Sequence, residues 1–295
     1  MTELRWIASF SASCFHAAWA VLEGLPLVDG DMQGEWDEAV RGLAREIDTC
    51  GLPRGALMEQ LCALSAGIDN NTELAQVAAR KVAGGDTSRQ RAPSLARAIT
   101  QLETAFQHAV PKVVDELSQR AGPLRTQWEA RGPGLMAQIG RLTDPGVVVD
   151  RADVVLVHPV LGGGGAAHPA YNSVRIEAVL ADTHEQLPEV LRLAWMLSLL
   201  NLDLPRYSEN IPGSRRGLVT SLAMTPAVLT AAETVQLGRC DAETIALALA
   251  AWLPALHVAD EEETVARLLN WWNTFTGSRP AWPVALLALE KMLPA

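Results

Sequence analysis

Val154-Val155-Leu156-Val157-His158-Pro159-Val160-Leu161-Gly162-Gly163-Gly164-Gly165-Ala166-Ala167-His168-Pro169, continued by Ser173-Val174-Arg175-Ile176-Glu177-Ala178-Val179-Leu180, decides the fold class. The first four residues are an apolar, β-branched run. In 173–180 the apolar side chains Val174, Ile176, Ala178 and Leu180 alternate with others, the period of a strand with one buried face. Val147-Val148-Val149 adds a second β-branched run, and Asp150, Arg151 and Asp153 lie between the two runs. No other segment carries strand periodicity. The chain therefore reads as α+β, predominantly α-helical, with one small, mainly antiparallel sheet in the middle.

The flanks read as helices. From Trp36 the apolar positions are Val40, Leu43, Ile47 and Cys50, one face of an α-helix. Gly51 closes that helix and Pro53 opens the next, which carries Leu57, Leu61, Cys62 and Leu64. A third, on Leu74, Val77 and Ala78, stops at Gly84-Gly85. Residues 85–94 are polar and aperiodic and read as a linker. Leu95, Ile99, Leu102, Phe106 and Val110 mark a long helix up to Pro111, and Gly122-Pro123 and Gly132-Pro133-Gly134 read as breaks between shorter ones. Beyond Pro188, Val190, Leu191, Ala194, Trp195, Leu197 and Leu200 cover a broad apolar face, so a helix over 184–201 is buried. Further helices are expected near 226–237, 241–256, 262–275 and 282–292. Asp241 is a fitting N-cap, and Asp260-Glu261-Glu262-Glu263 puts acid at a helix start. Three regions follow: helical 1–145, a small sheet with its central helix over 146–217, and helical 218–295, able to pack as one body.

Composition excludes several classes. The chain has 295 residues, is 49% hydrophobic and 20% charged, and carries a net charge of −10. That is globular, and its acidity argues against tracking nucleic-acid phosphates. No uninterrupted apolar run approaches the roughly 18 residues of a membrane span. Four cysteines, Cys14, Cys50, Cys62 and Cys240, have neither C-x-x-C nor disulfide-framework spacing and read as reduced thiols in a cytoplasmic protein. Ala18-Trp19-Ala20 resembles a signal-peptidase site, but Glu3 and the polar residues Ser9, Ser11, Ser13 and His16 argue against export. No cofactor is expected, and any partner would be a peptide or protein.

The four glycines Gly162, Gly163, Gly164 and Gly165 follow a strand, where a phosphate cradle belongs. A dinucleotide fingerprint must open a helix, whereas here a strand follows, and no lysine stands between Lys112 and Lys291 to complete a P-loop. His158, His168 and His184 flank this region and offer imidazoles, although no spacing brings them together. Cys14 and His16 share a face if that segment is extended. Trp252, Trp271, Trp272 and Trp282 read as core anchors or, alternatively, as a partner surface. His184-Glu185-Gln186-Leu187-Pro188 begins like H-E-x-x-H, and Pro188-Glu189-Val190-Leu191-Arg192 keeps the glutamate but neither histidine. Zinc chemistry needs two imidazoles one turn apart with the glutamate as general base. Arg192, one turn from Glu189, reads as its ion partner.

Two strands, a glycine-rich loop with an alternating strand, then a buried helix with a central glutamate: this order, over about residues 147–202, resembles the core of zincin metallopeptidases. In those an edge strand binds the substrate backbone and the next helix supplies the zinc motif. The resemblance puts Glu189 at the place of the base, Pro188 and Arg192 at the places of two ligands, and Glu233 at that of a third. It implies a pseudoenzyme without metal that binds a peptide or protein. An ordinary α+β domain of the same element order stays open. So does a metal-dependent hydrolase at the glycine loop and helix 188–201, drawing on His158, His168, His184 or Glu189.

Overall fold

The computed structural model describes residues 2–28, 32, 34–84, 87–254 and 261–294. It is 66% helical with one four-stranded sheet. The strands are β1 (Glu3–Ala8), β2 (Arg151–Val157), β3 (Gly165–His168) and β4 (Ser173–Glu177), in the sheet order β1-β2-β4-β3. The sheet is mixed rather than mainly antiparallel. β3 pairs antiparallel with β4, but Glu3 N donates to Asp150 O and Ser9 N to Leu156 O, the register of two parallel strands. The reason is β1, which comes from a region expected to be wholly helical. Its six residues are too short to show a period beside the polar, small-residue run that follows.

The helices are α1 (Phe10–Leu22), α2 (Glu35–Thr49), α3 (Arg54–Leu64), α4 (Asn71–Ala83), α5 (Thr87–Ala109), α6 (Val113–Leu142), α7 (Glu189–Leu199), α8 (Pro205–Ser208), α9 (Gly213–Thr234), α10 (Ala242–Trp252), α11 (Glu261–Ser278) and α12 (Trp282–Met292). Three of these starts, those of α1, α4 and α10, carry a side-chain cap. Ser9 accepts from Ala12 N and so converts β1 into α1, placing Cys14 and His16 on a helix and not on a strand. Asn70 accepts from Thr72 N and Glu73 N at α4, and Asp241 from Thr244 N at α10, as its position predicts. Val147 lies in a 3-10 turn, Pro145–Val147, so the first valine run precedes the sheet.

Three expected interruptions are not seen among the described residues. The polar stretch ending at Ser94 belongs largely to α5, with Pro93 inside the helix, and its Gly85 and Asp86 lie outside the described residues. Pro123 and Pro133 both lie inside the 30-residue α6. The last residues of the expected 241–256 helix and Asp260 are also outside the described residues.

The chain forms two compact units. One comprises Met1–Arg5, Gly122–Val154 and Gly163–Ala295; the other comprises Trp6–Ala121 and Val155–Gly162. In the second, α4 and α2 pack on α5 and α1 packs on α3, with Phe106 between Phe10 and Trp36 at ring distances of 5.5 and 5.4 Å. In the first, β3 and β4 pack on α7, and α7 on α9, against which α10, α11 and α12 gather. Trp271, Trp272, Phe275 and Trp282 form one buried aromatic cluster, and Trp252 is buried against Trp195, so all four tryptophans are core anchors.

Candidate functional site

Helix α7 is apolar on every side, and all eleven of its residues are buried, including Glu189 and Arg192 at its first turn. Pro188 at its N-cap has no side chain with which to cap. The exposed Asp182 takes over, its Oδ1 accepting from Glu189 N at 2.7 Å. A carboxylate at this end of the helix also suits the macrodipole. The helix is thus pinned with its one carboxylate and one guanidinium inside the protein.

Glu189 Oε1 lies 3.4 Å from Arg192 Nη2, an ion pair with both side chains 4% exposed. That is long for a hydrogen bond. Among the described residues neither Glu189 oxygen finds a hydrogen-bond partner, and neither does Arg192 Nε or Nη1, although all four atoms are buried. Burial pushes the Glu189 carboxyl up to about 7. Arg192 pulls it down in part, while Asp182 and Glu177 push it further up. Burial likewise lowers the Arg192 guanidinium, with Glu189 and Glu177 opposing.

The glycine loop closes over this pair. Gly163 has φ +130°, a conformation that side chains rarely adopt. A Cβ there would sit 2.8 Å from Thr183 Oγ1, 3.0 Å from Arg192 Nη1 and 3.1 Å from Glu189 Oε1. Only the α-carbon of a glycine can rest on those three groups. The backbone N–H groups of Gly163 and Gly164 both donate to Glu177 Oε2, at 2.6 and 3.0 Å. Glu177 ends β4 and is fully buried. Gly165 then enters β3, where a Cβ would meet Arg175 O at 2.5 Å and Met196 Sδ of α7 at 2.9 Å.

The other expected residues fall elsewhere. His168 is buried at the end of β3. His158 belongs to the other unit; its N–H donates to Ser13 Oγ and its ring meets Phe106 edge-on. His184 bridges to Leu187 in the turn before α7. Glu233 is exposed, and its Oε1 accepts from Cys240 N at 2.8 Å, which makes it a cap for that loop. Among the described residues no group of three or more His, Cys, Asp or Glu could hold a metal ion. Cys14, Cys50, Cys62 and Cys240 are joined by no disulfide.

Two members of the site escaped sequence reasoning, Glu177 and Asp182. Glu177 occupies an ordinary outward position in the strand alternation, and only the loop folding back reveals its role. Asp182 carried a usable signal: an acid within a turn or two of a helix whose own N-cap is proline.

β3 is an edge strand. Glu177 N donates to Gly164 O, so Gly164 and Glu177 form a hydrogen-bonded pair of the antiparallel ladder. Such pairs alternate along a ladder. Ala166 opposite Arg175 and His168 opposite Ser173 are therefore the next bonded pairs, and the N–H and C=O of Gly165 and Ala167 point away from β4 to the free edge. Comparisons of the chain with protein-family models, with curated proteins and with solved structures find no match in any of the three.

Proposed function

We propose that this protein is a non-catalytic binding protein that takes an extended peptide, or an extended segment of a protein, along the free edge of β3. The observation that carries the reading is the outward backbone of Gly165 and Ala167 on an edge strand whose first three residues, Gly165, Ala166 and Ala167, are small. A strand added there gains main-chain hydrogen bonds, and no bulky side chain on the first three residues of β3 holds it off. The zincin resemblance supports the same strand as the binding element. At the places of its metal ligands this chain has Pro188 and the cationic Arg192, which supports binding without catalysis.

The test is a selection from a random peptide library displayed on phage, with the Ala167→Pro variant as control. Proline at 167 removes one outward N–H but none of the bonds to β4, a substitution edge strands tolerate. Selected peptides should bind the native protein at least about tenfold more tightly than the variant, the equivalent of one lost hydrogen bond, with Tm nearly unchanged. Selection of no peptide, or equal binding to both proteins, rejects the reading.

One observation favours a second reading, a metal-dependent hydrolase at the same loop. A buried carboxyl titrating at about 7 is what a general base needs near neutral pH.

A further inference from the structure

We propose that the Gly163-Gly164 segment is a lid over the Glu189–Arg192 pair, held shut by the Glu177 carboxylate and able to open without unfolding the sheet. This inference concerns the loop itself and holds whether or not a peptide adds to β3.

Three features carry it. First, what covers the pair is the α-carbon of one glycine resting on Thr183 Oγ1, Arg192 Nη1 and Glu189 Oε1. No side chain of the segment is buried there, so lifting it sacrifices no apolar core. Second, the groups beneath are short of hydrogen bonds. Both oxygens of Glu189 and two nitrogens of Arg192 are buried and make none with the described residues. Buried polar atoms in that condition are costly, and water reaching them recovers the cost. Third, the two outermost N–H groups of the segment converge on one oxygen, Glu177 Oε2. Hydrogen bonds to a buried carboxylate are among the strong ones, and this pair opposes the drive to hydrate the groups below. Both of these backbone bonds thus end on one acceptor atom, and opening exposes a donor and an acceptor side by side.

The hinge positions follow from the same geometry. Gly163 already holds φ +130°, which residues with a side chain rarely adopt. Gly165 is wedged against Arg175 O and Met196 and stays with β3. Gly164 bonds on both sides, its N–H to the latch and its C=O to Glu177 N, and the second of these bonds ties it to the sheet. Movement is thus confined to the peptide units around Gly163.

Two measurements on the full chain test the lid. The first is NMR-detected amide hydrogen exchange of Gly163, Gly164 and Ile176 in rising, sub-denaturing guanidinium. A lid lets Gly163 and Gly164 exchange at rates insensitive to denaturant, at least about tenfold faster relative to their intrinsic rates than Ile176. Exchange of all three together, with the same denaturant dependence, means that the loop opens only on global unfolding and overturns the proposal. The second follows modification of Arg192 by phenylglyoxal, read by peptide mass spectrometry, in the native protein and in Glu177→Gln. Loosening the latch should raise the Arg192 rate about tenfold while Ile176 keeps its protection. An unchanged Arg192 rate with the sheet intact overturns the latch. The exchange experiment needs no variant, so a Glu177→Gln protein that fails to fold leaves it decisive.

Discussion

Glu189 sits in an environment far from a carboxyl's ordinary one, and that departure fixes a pH dependence. Its carboxyl titrates at about 7 in the folded protein, against 4.5 for the ordinary group. The folded state therefore holds the proton more tightly than the unfolded state. Stability from this group is fully present below pH 4.5, declines as pH rises toward 7, and is flat above it. The whole effect amounts to about 3 kcal/mol, from about 1.4 kcal/mol per unit of pKa. Glu189→Gln, which keeps the shape and cannot ionise, should remove this slope. Urea unfolding at pH 5, 6, 7 and 8 checks it: the native protein should lose ground against Glu189→Gln up to pH 7 and then run parallel to it. Curves parallel across the full range would show that the carboxyl titrates normally. Other carboxylates, such as Asp241 and Glu38, whose partners hold them low, titrate alike in both proteins and cancel in the difference.

At the scale of elements, the sequence was legible wherever apolar spacing persisted over several turns and at caps such as Asp241, Gly84 and Pro53, and misleading where glycine and proline inside a long helix stood for a break. The 4-3-4-3 spacing from Trp36 to Cys50 and the broad apolar face after Pro188 appear as α2 and α7. Gly132-Pro133-Gly134 read as a break because glycine and proline disfavour helix. The helix runs on because Gly132 lies directly under the Trp128 ring, where a Cβ would collide with it, so glycine serves the packing of a buried tryptophan. That is a tertiary reason, invisible to local propensity. Much of the candidate site was legible as well. Glu189, Arg192 and the glycines were singled out by motif order, whereas Glu177 and Asp182 act through a loop closure and a backbone N–H that no spacing encodes. Pro123 yields a prediction at this scale. It is exposed inside α6 and denies Gln119 O a helical hydrogen bond. Proline costs a helix interior about 3 kcal/mol, less where a bend absorbs it. Pro123→Ala should therefore stabilise the protein by about 1–2 kcal/mol, a rise in Tm of roughly 2–6 °C by calorimetry. A fall in Tm would mean that the proline suits the packing where it stands.

At the scale of the whole molecule, the question is whether the fold supports metal chemistry, and the disposition of its imidazoles and carboxylates bears on it. His158 sits in one compact unit, bonded through its backbone to Ser13, while His168 and His184 belong to the other at separate places, a strand end and a turn. Glu233 is engaged with Cys240 N. Glu189 and Glu177, the two buried carboxylates of the site, both act on the Arg192 guanidinium, and a fixed guanidinium repels a divalent cation as effectively as it attracts carboxylates. A zinc site needs three or four ligands at about 2.0–2.3 Å, and Arg192 would have to leave before the carboxylates could supply even two. Elemental analysis of purified, tag-free protein should therefore find zinc well below one atom per chain, with the same content in His184→Ala and Glu189→Gln. Stoichiometric zinc that is lost in His184→Ala would instead establish the hydrolase reading. It would also require the turn at His184 and the first turn of α7 to rearrange around the ion, a change that the exchange rates of Gly163 and Gly164 would register when the metal is removed.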